Sequence, residues 1–145
     1  MSELLMEVKG VYATDNGPFV ALVTDEEGYR DFILPIFIDE AQAHFISIAL
    51  EGRTMPRPLT HDLMVSIINE MGGAVDRVVI DHLDNNVFYA RLYIEEYFGE
   101  ERREVCVDAR PSDCIALCIR AGAPIYVSKE VMEKAAVKIG GENTT

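Results

Sequence analysis

The chain has 145 residues, 49% of them hydrophobic, and a formal net charge of −12, which fits one globular domain with a sizeable core. Duplex nucleic acid is held by cationic side chains that displace counterions, so this charge excludes nucleic-acid binding by the surface as a whole. A nucleic-acid function has to rest on a local arginine cluster or a metal ion, and charge breaks the apolar runs well short of the roughly 20 residues that a membrane helix needs.

From Leu4 to Tyr12, apolar residues alternate with Glu3, Glu7 and Lys9, the period of a half-buried strand. "TDNGP" predicts a turn, "FVALVTD" a returning strand, and "DEEGYRDFILPIFI" a further hairpin and a third strand. Pro35 cannot donate to a ladder on both sides, which predicts an edge or a bulge there.

The period then changes. In "EAQAHFISIALEG", Ala41, Phe45, Ile48 and Ala49 share a helical face and Gly52 stands where a left-handed end is wanted. A second helix is predicted after Thr60, with Leu63, Met64, Ile67, Ile68 and Met71 as its core stripe. "VDRVVIDHL" and "VFYARLYIEE" predict two strands joined tightly at Asp84, Asn85 and Asn86, with Tyr89 and Tyr93 on the outer face of the second. "RREVCVD" adds a strand, "SDCIALCIRAG" a helix closed by Gly122, "PIYV" a short strand, and a last helix runs from Ser128 to about Val137. The expected fold is α+β: a largely antiparallel sheet with about four helices packed against it, one domain over residues 1–138 and a flexible tail at 139–145.

No basic segment followed by an apolar one opens the sequence, and Cys106, Cys114 and Cys118 lack metal-site spacing. Both features predict a soluble cytoplasmic protein, without membrane association, whose reduced thiols are small core residues.

"PRPLTHDL" at residues 56–63 and "DARPSDCI" at 108–115 place an arginine, a proline, a hydroxyl residue and an acid at the start of a helix twice. Thr60 is expected as one N-cap and Asp108 or Ser112 as the other, with Asp62 and Asp113 in the first turns against the helix dipole and Pro111 where no N–H is needed. These roles leave Arg57 and Arg110 unexplained. Each arginine could clamp a nearby carboxylate such as Asp62 or Asp113, or the pair could make a locally positive phosphate site beside two helix N-termini. His61, expected to be exposed, could act as a general base or a metal ligand. Asp62, Asp108 and Asp113 could gather around one divalent cation such as Mg2+, or serve only as helix-start charges. His82 reads as a satisfied sheet residue, and Glu95, Glu96, Glu100 and Glu101 with Arg102 and Arg103 read as a solvated turn.

"LPIFI", "PRPLTHDL", "VFYARL", "DARPSDCIAL" and "GAPIYVS", in this order and spacing, resemble the bifunctional nuclease family from about residue 5 to residue 135. The resemblance implies an α+β fold, dimers or larger homo-oligomers, and nuclease activity on DNA and RNA. Its motif positions fall on Pro56, Arg57, Pro58, Thr60, His61 and Asp62, then on Asp108, Arg110, Pro111, Ser112 and Asp113. Two positions depart from it: the family often has Gly where this chain has Asp39, and Glu where it has Gln42.

Two functions are therefore expected to compete. In a nuclease, Arg57 and Arg110 with Thr60 and Ser112 would hold the phosphate, and His61, Asp62, Asp108 and Asp113 would carry the chemistry, with a divalent metal ion as possible cofactor. In a non-catalytic homo-oligomeric binding or scaffold protein, the two Arg-Pro helix starts would form an anion pocket, and Tyr89 and Tyr93 would suit a subunit interface.

Overall fold

The computed structural model describes residues 2–139. Alternating apolar residues extend the chain as β1 (Glu3–Thr14), β2 (Gly17–Val23) and β3 (Phe32–Phe37), an antiparallel meander. Two helices follow, α1 (Glu40–Glu51) and α2 (Thr60–Glu70). A second meander comprises β4 (Gly73–Asp84), β5 (Val87–Phe98) and β6 (Glu101–Ala109). Asn85 and Asn86 turn its first hairpin with φ of 50° and 64°, the paired left-handed conformations that match the twist of the flanking strands. The chain ends in α3 (Pro111–Ala121), β7 (Ile125–Ser128), α4 (Lys129–Ala135) and β8 (Val137–Lys138).

The eight strands form one sheet in the order β6-β5-β4-β7-β1-β2-β3-β8. All pairings are antiparallel except β4 with β7. β7 is the seam between the meanders: residues 3–6 of β1 pair with it, and from Glu7 onward β1 runs beside β2, with an irregularity at Val8/Gly10. Pro35 pairs with Ala21, while β8 covers only Phe32 and Ile33 on the other side, so the proline has the edge position that its missing N–H requires. The last helix stops at Ala135, short of the expected Val137, because residues 137–138 leave it to join β3. Ile139 is tied to Asp31 by a backbone hydrogen bond; the rest of the expected tail lies outside the described residues.

The core joins Leu4, Leu22 and Leu34 of the first meander to Val78, Ile80 and Leu92 of the second, each buried side chain stabilising the fold by about 1.5–3 kcal/mol. α3 lies over β4 and β5, touches both α1 and α2, and is buried continuously from Cys114 to Cys118. Burial pushes both thiols up to about 12. Cys106, also expected inside, is exposed on β6, where the edge of the sheet has no covering element. Gly52 ends α1 at φ 66° as expected, but the buried residues of that helix are Ala43, Ile46 and Ile48 rather than Ala41, Phe45 and Ala49. α1 packs on both α3 and the first meander, so its burial follows two faces.

The expected core stripe of α2 turns outward. Leu63 and Ile67 are 52% exposed, Met71 76% and Met64 38%, and His61 is the buried residue of this helix. Among the described residues no element lies over that stripe. It flanks a groove floored by Ile94 and closed on the far side by Val105 of β6. No helix among the described residues is long and apolar enough to cross a membrane.

The three helices are joined by a residue that spacing did not single out. Arg120, in the last turn of α3, has a side chain only 7% exposed. Its Nε donates to Asp62 Oδ1 of α2 (2.8 Å), Nη1 to Ala116 O (3.1 Å) and Nη2 to Phe45 O of α1 (3.1 Å). Arg120→Met keeps the stem but removes every donor. It is expected to cost about 2–3 kcal/mol, read as a lowered urea midpoint; a change within about 0.5 kcal/mol would mean that the junction holds without it.

Candidate functional site

The two Arg-Pro motifs meet in space, through their histidine and acid rather than through their arginines. α2 starts at Thr60 with Leu59 as the N-cap, so His61 falls in the first turn. α3 starts at Pro111 with Arg110 as the N-cap, and Asp113 falls in its first turn. Neither Thr60 nor Asp108 nor Ser112 caps a helix, contrary to expectation. Each motif's proline or acid already satisfies the helix start: Asp62 Oδ2 accepts from Leu59 N at 3.1 Å, and Pro111 has no N–H to satisfy.

His61 is 7% exposed rather than free at the helix start. The Phe45 ring stands edge-on to it at 5.8 Å, and its Nε2 lies 3.0 Å from Asp113 Oδ1. On the far side of that carboxylate, Arg110 Nε and an Arg110 terminal nitrogen each lie 3.1 Å from Oδ2. Partial burial pushes the Asp113 carboxyl up, but the hydrogen bonds from His61 and Arg110 outweigh it and hold the group below the usual carboxylate range. An ionised carboxylate only accepts, so His61 carries its proton on Nε2 when neutral. Nδ1 is left buried, without a hydrogen-bond partner among the described residues.

These residues line a cleft of about 850 Å³ between the helix starts and the end of the second meander. Thr60, His61, Asp108, Arg110 and Asp113 all face it, together with Asp39 and Gln42 of the α1 start. Its remaining walls are apolar: Phe45, Met64, Phe88, Tyr89, Leu92 and Val107. Tyr89, exposed as expected, sits with its ring 5.3 Å from that of His82. Tyr93, expected to be exposed, is half-buried because the Arg77 guanidinium covers its ring at 3.9 Å.

Three expected members are elsewhere. Arg57 is exposed in the loop before α2, does not line the cleft and forms no ion pair among the described residues. Asp62 has both oxygens engaged, by Arg120 and Leu59 N, and stands apart from Asp108 and Asp113. Ser112 is buried and receives a hydrogen bond from Gln42 Nε2 at 2.5 Å. Gln42 Oε1 also accepts from Asp39 N, while Asp39 Oδ1 accepts from Gln42 N, so the two residues that depart from the family pattern form the cap of α1. Among the described residues, no three His, Cys, Asp or Glu side chains converge as metal ligands would. The donor set expected from Asp62, Asp108 and Asp113 is not assembled. The residue missed from the sequence was Arg120, whose one signal was a cation at the end of an otherwise apolar helix.

Residues 21–140 match the model of the bifunctional nuclease domain. The chain is similar to an uncharacterized protein of Mycobacterium tuberculosis, 38% identical over 117 residues, covering 81% of this chain and 67% of that protein. It is also similar to bifunctional nuclease 1 of japonica rice, 30% identical over 125 residues, covering 86% of this chain and 38% of the rice protein. For bifunctional nuclease 2 of Arabidopsis thaliana the identity is 28% over 112 residues, covering 77% and 34%. The chain thus spans about two thirds of the mycobacterial protein and little more than a third of the plant proteins. With the match running through both Arg-Pro motifs and the strands and helix that carry them, the chain belongs to the bifunctional nuclease domain family.

Proposed function

We propose that the cleft is a nuclease site that hydrolyses phosphodiester bonds in DNA, RNA or both. The observation that carries this reading is the Arg110–Asp113–His61 chain in the wall of a cleft large enough for a nucleotide. Asp113 holds the ring through Nε2 and stabilises its charged form, while Nδ1, the nitrogen left to take a proton from the attacking water, is buried, so this role requires the ring to be uncovered when substrate binds. Arg110 sits where a phosphate oxygen would gain charge, and Thr60 adds a hydroxyl donor at the start of α2. The proton held by His61 is the one returned to the leaving oxygen, and Asp108 is a further carboxylate of the cleft that could help to hold a divalent ion. Because no three ligands converge, every step here is assigned to the chain's own side chains. The family membership and the names of the plant relatives support the reaction class.

A second reading, a homo-oligomeric binding or scaffold protein, is favoured by the outward stripe of α2. Four large apolar side chains without cover mark an association surface, and a second copy is the partner that the family resemblance implies. The two readings are compatible if the oligomer carries the cleft. Reduced Cys114 and Cys118 in the core fit a cytoplasmic location.

End-labelled single- and double-stranded DNA and RNA, incubated with Mg2+ or with chelator, test the first reading. His61→Ala is expected to lower the cleavage rate by a factor of about 10²–10⁴; a rate equal to the parent's would remove His61 from the chemistry. For the second reading, Ile67→Lys is expected to shift the molar mass in light scattering toward that of one chain, and an unchanged oligomer would free α2 from the interface. The dyad also predicts a pH dependence. Since Asp113 titrates lower when folded than its unfolded value of about 3.9, its stabilisation is complete above that pH and is lost as pH falls through the folded value. The stability gap between the parent and Asp113→Asn, measured by urea unfolding, should narrow from pH 5 to pH 3, and a constant gap would contradict the assignment.

A further inference from the structure

We infer that the substrate of this site is a dinucleotide, one phosphate between two nucleosides, rather than a long strand; this rests on the nuclease reading for its class of ligand. The cleft has a neighbour. A second cavity of about 260 Å³ opens between the end of β3, the β4–β5 turn at Asn86 and the start of α3. Arg110 lines both cavities, together with Gln42, Val87 and Phe88, so its guanidinium stands on the wall that the two share. Its Nε and Nη2 face Asp113, its Nη1 has no hydrogen-bond partner among the described residues, and the side chain is 66% exposed. The planar fork thus keeps free donors for one phosphate.

Each side of that phosphate has room for one nucleoside. The smaller cavity lies just below the roughly 300 Å³ at which small-molecule sites begin, enough for a base and its sugar but not for a length of strand. Apart from Arg110 its polar side chains are the neutral Gln42, Asn86 and Ser112, and Gln42 and Ser112 are already bonded to each other. The Asn86 amide has no partner among the described residues and offers both a donor and an acceptor to the edge of a base. On the cleft side, Met64 and Val107 supply partly exposed apolar surface.

A long strand lacks what it needs here. Proteins that follow a strand by its backbone use a positively charged groove. Among the described residues Arg110 is the sole Lys or Arg in either lining, and Asp39, Asp108 and Asp113 line the cleft. A second phosphate would leave the cavities over a chain of net charge −12, so added nucleotides bring repulsion without a new cation to meet them. In the reaction, the oxygen of water bonds to phosphorus as one P–O ester bond breaks and the leaving sugar oxygen takes a proton. The products are a nucleoside and a nucleoside monophosphate, neither of which spans both cavities.

A thymidine dimer and hexamer with phosphorothioate linkages, which resist hydrolysis, and thymidine monophosphate are titrated into the protein by calorimetry at several salt concentrations. The dimer is expected to bind at least tenfold more tightly than the monophosphate, and the hexamer no more tightly than the dimer. The slope of log K against log[salt] for the dimer should be about −0.7, the value for one phosphate of a single strand. Asn86→Asp keeps a residue type tolerated at the φ of 64° found there and puts a charge into the smaller cavity. It should weaken the dimer about fivefold or more, with the urea midpoint unchanged. A hexamer bound tenfold more tightly than the dimer, a slope of several units, or unchanged dimer binding in Asn86→Asp would overturn the dinucleotide site.

Cleavage is read separately, on unmodified deoxy and ribo dimers and on longer strands. A protein that binds the dimer analogue as expected but cuts none of these keeps the paired cavities and loses the nuclease. A protein that cuts longer strands faster than dimers keeps the nuclease and loses the dinucleotide site.

Discussion

A single buried guanidinium holds the functional half of this molecule in register. Arg120 reaches from the end of α3 to a carboxylate on α2 and a backbone carbonyl on α1, and its own guanidinium, buried with the side chain, would be costly to leave unpaired away from water. α2 also touches α3 and β4, and its Val65 packs against the core. Much of its apolar stripe stays exposed, so the ordinary driving force for docking a helix is weaker here, and the polar clamp at Asp62 adds to it. The position of His61, one residue before that aspartate, follows from the clamp. The dyad with Asp113 is therefore a product of helix placement more than of any contact between the two residues themselves.

On the proposed nuclease reading, the cleft reverses the usual electrostatics of a nucleic-acid site. Its acids outnumber its cations, and the one arginine and the one histidine are both directed at the same carboxylate. Such a chain of charge-assisted hydrogen bonds keeps Asp113 ionised and fixes the histidine tautomer. The cluster is then internally neutralised to a large degree, and it can sit on a strongly acidic chain without needing a basic surface around it. The chemistry is local, and the surrounding surface is free to carry the acidic residues that the sequence has in excess.

Much of the fold was legible in the sequence because it rests on local patterns. Period-two alternation located the strands, the Asn85–Asn86 pair marked a turn with the right handedness, and Gly52 and Gly122 both end helices in the left-handed conformation. The echoed motif pointed to two helix starts, and both are at the cleft. What the patterns lacked was information about partners. The stripe of α2 says that one side of a helix is apolar but not what covers it, and among the described residues much of it is left uncovered. Pairing was equally hidden: Asp62 has a motif arginine, Arg57, five residues before it, yet takes Arg120, which is 58 residues away. Spacing along the chain measures reach, while the choice among partners within reach is made by the packing of three helices. For the same reason the sequence marked Gln42 only as a departure from the family pattern, and not as a cap whose second end braces Ser112.

The four residues of β7 also set the order in which the chain can complete itself. Each meander is built from neighbouring hairpins and can form from local contacts as soon as its own strands exist. The inner edge of β1, residues 3–6, has no such neighbour and waits for Tyr126, Val127 and Ser128, at the opposite end of the sequence. During synthesis the first meander thus leaves the ribosome with an open strand edge, and it keeps that edge through the making of both motifs and the whole second meander. That edge can close only once β7 has been made and inserted between β1 and β4, after almost the whole chain exists.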